Sequence, residues 1–297
     1  MKVEEYELLE SHGMRGLANR MIEASQCVAF AKVGYPSRIG HITEVCKFSE
    51  TMQEDRSRAT YDMLGGLTAG EFSLVEQIIV KVQKATDRLG RSVTPTASLL
   101  RAVVVYRQIA ALFPDHASVL EIGPGSGYVS ALLALDSYKV YSVEIAQAFA
   151  LWQRQLRQTM PDADWTHIPW WDWIDGRAPE KLDCITANHC LNEMHPNALA
   201  YLIRRAEEIL STTGIMVVES LGSEVVRTNA QTMTMFARRG WSGQESGPAI
   251  ILLPPGSSPW PVVRHEMKTR TWDDLVKLWG GEVESADERF LRYCDGR

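Results

Sequence analysis

The sequence predicts an α/β fold built on a mostly parallel sheet, and three observations predict it. Short apolar runs alternate with amphipathic stretches between Ser118 and Leu221, the pattern of parallel strands covered on both faces by helices. A glycine-rich turn follows the first apolar run. The second apolar run ends on an acid, Glu144. Residues 1–117 carry helical patterns instead. The expected organisation is therefore a helical N-terminal extension or cap over 1–117 and a ligand-binding domain over 118–297.

In the extension, FSLVEQIIVKVQKATDRLG (Phe72 to Gly90) puts Val75, Ile78, Ile79 and Val82 on one helical stripe, with Gly90 as the C-cap. TPTASLLRAVVVYRQIAALF offers Thr94 as N-cap and Pro95 at the first helical position, then an apolar face through Leu99, Val103, Tyr106 and Ile109. Upstream of Glu71 the periodicity weakens, and GYPSRIGH and DMLGGLTAG read as loops.

The domain opens with the strand SVLEIG, the glycine turn and the helix YVSALLALD. KVYSVEI is a second strand, and AQAFALWQRQLRQTM a helix ended by Pro161. WTHIPWWDW holds a third strand and KLDCITAN a fourth. PNALAYLIRRAEEILSTTG is a helix closed by Gly214, and IMVVESLG a fifth strand. Past Gly222, TNAQTMTMFARRG reads as a helix and AIILLPPGSSPWP as a strand entering a Pro-rich loop. TWDDLVKLWGG is a short capped helix and ERFLRYC a last strand. Ligands of such sheets bind beyond the carboxyl ends of the strands, where strand order reverses. Functional residues are therefore expected just after the strands.

Composition narrows the function classes. Of 297 residues, 45% are hydrophobic and 23% charged, as in ordinary globular proteins. A net charge of −6 argues against a general nucleic-acid binder. The five cysteines are scattered with no C-x-x-C pair, which disfavours a disulfide framework and a structural zinc site. The acidic N-terminus has no apolar signal region, and no apolar run is long enough to span a membrane. The expectation is a cytoplasmic protein with reduced thiols.

The turn in VLEIGPGSGYVS carries Gly123, Gly125 and Gly127. A phosphate-binding P-loop would need a Lys after its last glycine, and none is present. The dinucleotide fingerprint G-x-G-x-x-G is also missed, because the third glycine comes one residue early. Glu121, two residues before the turn, would repel a pyrophosphate and attract an amine. Glu144 stands where an acid binds ribose hydroxyls, or it is only a charge at a helix N-terminus. A ligand with adenosine at one end and an amino acid at the other suits both acids. Backbone N–H groups at the start of the next helix would take its carboxylate.

These residues carry a resemblance. VLEIGPGSGYVS resembles motif I of the class I S-adenosylmethionine-dependent methyltransferases, and VYSVEI is similar to their second motif. LDCITANHCLNEM resembles the fourth, and RRAEEILSTTGIMVVES the helix, turn and fifth strand that follow. More narrowly, GSGYVSALLAL followed by VYSVEIAQAFALWQ is similar to bacterial proteins described as sugar O-methyltransferases. The resemblance implies a Rossmann-like, mostly parallel seven-stranded sheet with S-adenosylmethionine as cofactor and S-adenosylhomocysteine as product. It implies Glu121, Gly123, Gly125, Gly127 and Tyr128 around the methionine part, and Glu144 with Ile145 at the ribose. Trp171 and Asp172 would meet the adenine, the ring packing and the acid accepting from the amine; otherwise they belong to a tryptophan cluster and a cap. Asn188 would bind the amino-acid end.

Methyl transfer to a hydroxyl needs alignment and removal of a proton, for which His is the default base near neutral pH. NHCLNEMHP, after the fourth strand, packs His189, Glu193 and His195 together. His189, nearest the strand end, is the first candidate for base. Glu193 can orient an imidazole or bind substrate hydroxyls, and His195 can reach the same site. The bland alternatives are a backbone-bonded His189, a solvated Glu193 and a His195 that caps the next helix. A divalent metal is the minor alternative: His and Glu can ligate one, but no second carboxylate with clear ligand spacing accompanies them, so no metal site is assigned. Tyr35, Arg38 and His41, and the stretch from Ser257 to Glu266, are candidate lids.

The expected function is methyl transfer to oxygen on a small-molecule acceptor, a sugar or another polar metabolite, with no nucleic-acid or membrane partner. A homodimer is compatible with this reading. Alternatives are an amine, carboxylate or carbon acceptor, or a cofactor-binding partner subunit without catalysis.

Overall fold

The computed structural model describes residue 45 and residues 54–87, 89, 90, 92–224, 226–260 and 270–279. Three helices come first: α1 (Glu54–Leu64), α2 (Ala69–Asp87) and α3 (Ala97–Leu112). The sheet begins with β1 (Ser118–Ile122), α4 (Tyr128–Leu135), β2 (Lys139–Glu144), α5 (Gln147–Arg157), β3 (Trp165–Pro169) and the short α6 (Trp170–Ile174). It continues through β4 (Leu182–Thr186), a 3₁₀ turn (Leu191–Glu193), α7 (Pro196–Ile209) and β5 (Leu210–Val218). Then follow α8 (Asn229–Arg238), β6 (Ser242–Ser246), β7 (Ala249–Leu253) and α9 (Trp272–Leu278).

The seven strands form one sheet in the order β3-β2-β1-β4-β5-β7-β6. β1 to β5 pair in parallel, while β7 is antiparallel to both β5 and β6. Strand order reverses between β1 and β4, so the crevice at their carboxyl ends is where a ligand is expected.

Alternation along each strand divides the core. Val119, Val140, Cys184, Ile215 and Val217 face one apolar layer with α2, α3, α4 and α5. Leu120, Ile122, Val143, Ile185, Met216 and Val218 face the other with α7 and α8. The first layer also holds Leu64, Val75, Ile78, Leu100 and Val103, so the described N-terminal helices share one core with the sheet. A buried ion pair binds them together. Arg107 on α3 donates to both oxygens of Glu71 on α2, at 2.5 and 2.6 Å, and to the carbonyls of Leu64 and Gly66. Tyr61 donates to the Arg270 carbonyl and packs edge-on against Trp272, joining α9 to this bundle.

Several element ends differ from expectation. α3 starts at Ala97 with Thr96 as its N-cap residue, and Thr94 instead accepts from Gln83 Nε2 at 3.0 Å. α7 ends at Ile209, and Gly214 lies inside β5. A Cβ there would stand 2.7 Å from the Leu182 carbonyl, so the glycine serves the close approach of β5 to β4. β6 was not anticipated, because SGQES is polar and does not alternate. GYPSRIGH and ERFLRYC lie outside the described residues.

Candidate functional site

The glycine turn joins β1 to α4 with Gly123, Gly125 and Gly127 all at positive φ (64°, 55° and 72°), the left-handed region open to glycine. Gly127 also serves packing: a Cβ would meet Trp165 at 2.8 Å and Gln153 at 2.9 Å. At Gly125 the nearest neighbour of a Cβ is Phe149 at 4.0 Å, so the turn is open there. Tyr128 starts α4 and is buried.

Two buried carboxylates flank the turn. Glu144, at the end of β2, accepts from Gly125 N (3.0 Å) and Ala146 N (2.8 Å), one bond to each oxygen. Glu121, in β1, accepts from the backbone N and hydroxyl of Ser130 on α4, at 2.9 and 2.5 Å. Burial pushes both acids up to about 7, against the hydrogen bonds they accept. The ammonium contact expected of Glu121 thus falls on a carboxylate that already anchors the start of α4.

The donor set suits S-adenosylmethionine. A carboxylate offers about four acceptor directions, and Glu144 is approached by the Ala146, Gly125 and Ile145 amides and the Gln153 side chain, so ribose hydroxyls would share or replace those contacts. Ser126 Oγ in the turn is buried without a hydrogen-bond partner. Ile145 is half-buried beyond β2. Trp171 is 40% exposed on α6, while Asp172 faces Arg177 at 2.9 Å. An adenine contact by Asp172 would therefore share that acid with Arg177.

The loop after β4 closes the other side of the crevice. Cys190 donates to the Ile122 carbonyl at the end of β1, at 3.6 Å. Burial, then the negative fields of Glu144, Glu193 and Glu121, hold its thiol well above its ordinary pKa. Asn188 bridges strand ends, donating to Thr186 Oγ1 (2.7 Å) and accepting from Glu219 N (2.9 Å). Any contact from Asn188 to a ligand would add to that bridging.

His189 has a left-handed backbone, φ 57°, uncommon for a residue with a side chain. Its N–H donates to the Ser220 carbonyl at 2.8 Å. A Cβ on Gly222 would stand 2.8 Å from the His189 carbonyl carbon, so a glycine is needed for this loop to pass. The imidazole is 37% exposed, with Nε2 2.7 Å from Glu219 Oε2. Nδ1 lies 3.3 Å from Nη2 of Arg101 on α3. Burial would raise the pKa of Glu219, but His189 and then Arg101 outweigh it and hold the acid below its ordinary value.

Glu219, just past β5, therefore stands where Glu193 was expected. Glu193 sits in the 3₁₀ turn and accepts from Ser223 Oγ at 2.9 Å. His195 is the N-cap of α7, its Nδ1 accepting from Asn197 N at 3.2 Å, as in the bland reading. Reading the sequence missed Glu219 and Arg101. The strand-end rule could have found Glu219, whereas nothing local marks Arg101. Among the described residues no group of three or more His, Cys, Asp or Glu is arranged as metal ligands, and no helix is long and apolar enough to cross a membrane.

The profile of the family described as "Methyltransferase domain" matches residues 99–277, more than half of the chain. Among solved structures, DesVI of Streptomyces venezuelae is 13% identical, with 53% of this chain and 92% of that one covered at a TM-score of 0.40. A TehB-like SAM-dependent methyltransferase from Corynebacterium glutamicum is 15% identical, with 50% and 84% covered at 0.39. The glycopeptide N-methyltransferase MtfA, complexed with sinefungin, is 11% identical, with 51% and 85% covered at 0.39. A search of curated proteins returned no match.

Proposed function

The chain belongs to the methyltransferase-domain family, with S-adenosylmethionine as its methyl donor, and from that premise we propose that it methylates a hydroxyl of a sugar or other small polar metabolite with His189 as general base. The donor supplies a methyl already activated by its sulfonium, which leaves the protein to align the acceptor and accept its proton. Glu144 takes the ribose hydroxyls, the glycine turn and Asn188 border the amino-acid end, and Trp171 with Asp172 borders the adenine. Glu121 acts through Ser130 by fixing the start of α4.

One observation carries the base assignment: His189 and Glu219 follow the adjacent strands β4 and β5, beside the switch point, with Nε2 2.7 Å from Glu219 Oε2 in a charge contact that is not an aligned hydrogen bond. Glu219 stabilises by its charge the imidazolium that forms, which makes it a supporting rather than a reacting residue. Nδ1 remains as the basic nitrogen. Such bases contribute about 10²–10⁴-fold in rate.

His189→Asn is the informative variant, because Asn tolerates a left-handed backbone. It should bind S-adenosylhomocysteine as the parent does in calorimetry and lose about 10²–10⁴-fold in methyl transfer to an acceptor panel. Undiminished turnover would remove the base role. Glu144→Gln should weaken binding of S-adenosylhomocysteine about tenfold or more, and unchanged affinity would remove the ribose role. Cofactor binding with no methylated product from any acceptor would favour a non-catalytic subunit.

A further inference from the structure

Arg101, His189 and Glu219 come from α3, the loop after β4 and the end of β5. The Arg101 contact bears on the state of the ring. A guanidinium can only donate, so Nδ1 must face Arg101 with its lone pair. The ring hydrogen is then on Nε2, beside Glu219. The nitrogen that would take a proton is therefore the one that Arg101 covers.

Among the described residues Arg101 makes few contacts beyond its charge interaction with Glu219. A guanidinium has five N–H donors in a planar fork. Among the described residues its one hydrogen-bond contact is the 3.3 Å approach to Nδ1. It is only half-buried. Pairing with an anion gives the guanidinium an opposite charge and a second, parallel hydrogen bond, neither of which a single contact to a neutral imidazole supplies. An anion reaching this fork therefore outcompetes an imidazole lone pair at long range.

We propose that the acceptor is an acidic hydroxy compound whose carboxylate or phosphate pairs with Arg101 and draws it off His189 Nδ1. The hydroxyl beside that anion then takes the vacated place on Nδ1. The inference deepens the base assignment and rests on it. A neutral acceptor leaves Arg101 on the ring, so the arrangement selects for charge before chemistry. Glu219 lies against the other ring nitrogen and need not move.

The test reads the ring directly in the full-length protein. Long-range ¹⁵N–¹H spectra should show His189 with its hydrogen on Nε2. Acetate or inorganic phosphate at tens of millimolar should shift Nδ1 saturably, and chloride at equal ionic strength should not. The anion that acts names the acid class. Arg101→Gln should weaken this response about tenfold or more, and Arg101→Lys, which keeps the charge but not the fork, should weaken it less. The proposal is overturned by no saturable shift with either anion, or by one that survives Arg101→Gln. S-adenosylhomocysteine binding, measured in parallel by calorimetry, separates this outcome from failure of the methyl-donor reading.

Discussion

Glu121 and Glu144 show what single residues cost in order to hold this site. Both are buried, and burial lifts each from an ordinary 4.5 to about 7. Below about pH 4.5 both carboxyls are protonated in the folded and unfolded chains alike. As pH rises, the unfolded chain releases its protons first, so stability falls between about 4.5 and 7 and stays lower above that window. The loss is at most about 3 kcal/mol per group. His167, held down to about 4 chiefly by burial, works with the opposite sign and loses stability as pH falls below its ordinary 6.5. The readable quantity is therefore a difference. Glu121→Gln keeps an oxygen for Ser130 and removes the ionisation. Urea unfolding of the ligand-free protein should find this variant more stable than the parent at pH 8, with the advantage vanishing towards pH 4.5. An advantage that does not change with pH would contradict a raised carboxyl.

At the scale of elements, the most exacting joint is the buried pair between α2 and α3. Arg107 and Glu71 are 8% and 7% exposed, and the guanidinium also holds the carbonyls that end α1. Glu71→Ala leaves that charge buried without its counterion, and breaking such a pair costs roughly 3–5 kcal/mol. Denaturant unfolding should show a loss of that size; one below about 1 kcal/mol would mean that water reaches Arg107. What the sequence made legible follows from the range of the interactions. The glycine turn, Glu144 and five parallel strands could be read because turn chemistry and hydrophobic runs are local. The His189–Glu219 contact spans 30 residues and Arg101–His189 spans 88. The first is created by strand order and the second by the packing of α3 beside the sheet, and no local pattern encodes either. Thr94 misled because Thr94, Pro95 and Thr96 all look like helix starts. Gly214 misled because a glycine required by a neighbouring strand looks the same as one that caps a helix.

Across the whole molecule, the expected boundary at residue 117 does not divide the core. Val75, Ile78, Leu100 and Val103 lie in the same buried cluster as Val119, Leu132 and Val140, and the family match itself begins inside α3, at residue 99. Arg101 carries the same continuity into the site, since a helix assigned to the extension supplies a contact to His189. An extension that only shielded an acceptor could be removed without unfolding the sheet. Removing residues 1–117 here would strip α2 and α3 from one face and expose the apolar surfaces of α4 and β1. Fully burying one such side chain is worth about 1.5–3 kcal/mol, and domains are stable by only about 5–15 kcal/mol, so losing several contacts exceeds the margin. A chain of residues 118–297 should therefore lack a cooperative thermal transition, bind hydrophobic dyes and fail to bind S-adenosylhomocysteine, whereas the full chain melts cooperatively. Cooperative melting of the shortened chain with cofactor binding intact would support the two-part division and make the N-terminal helices an accessory cap.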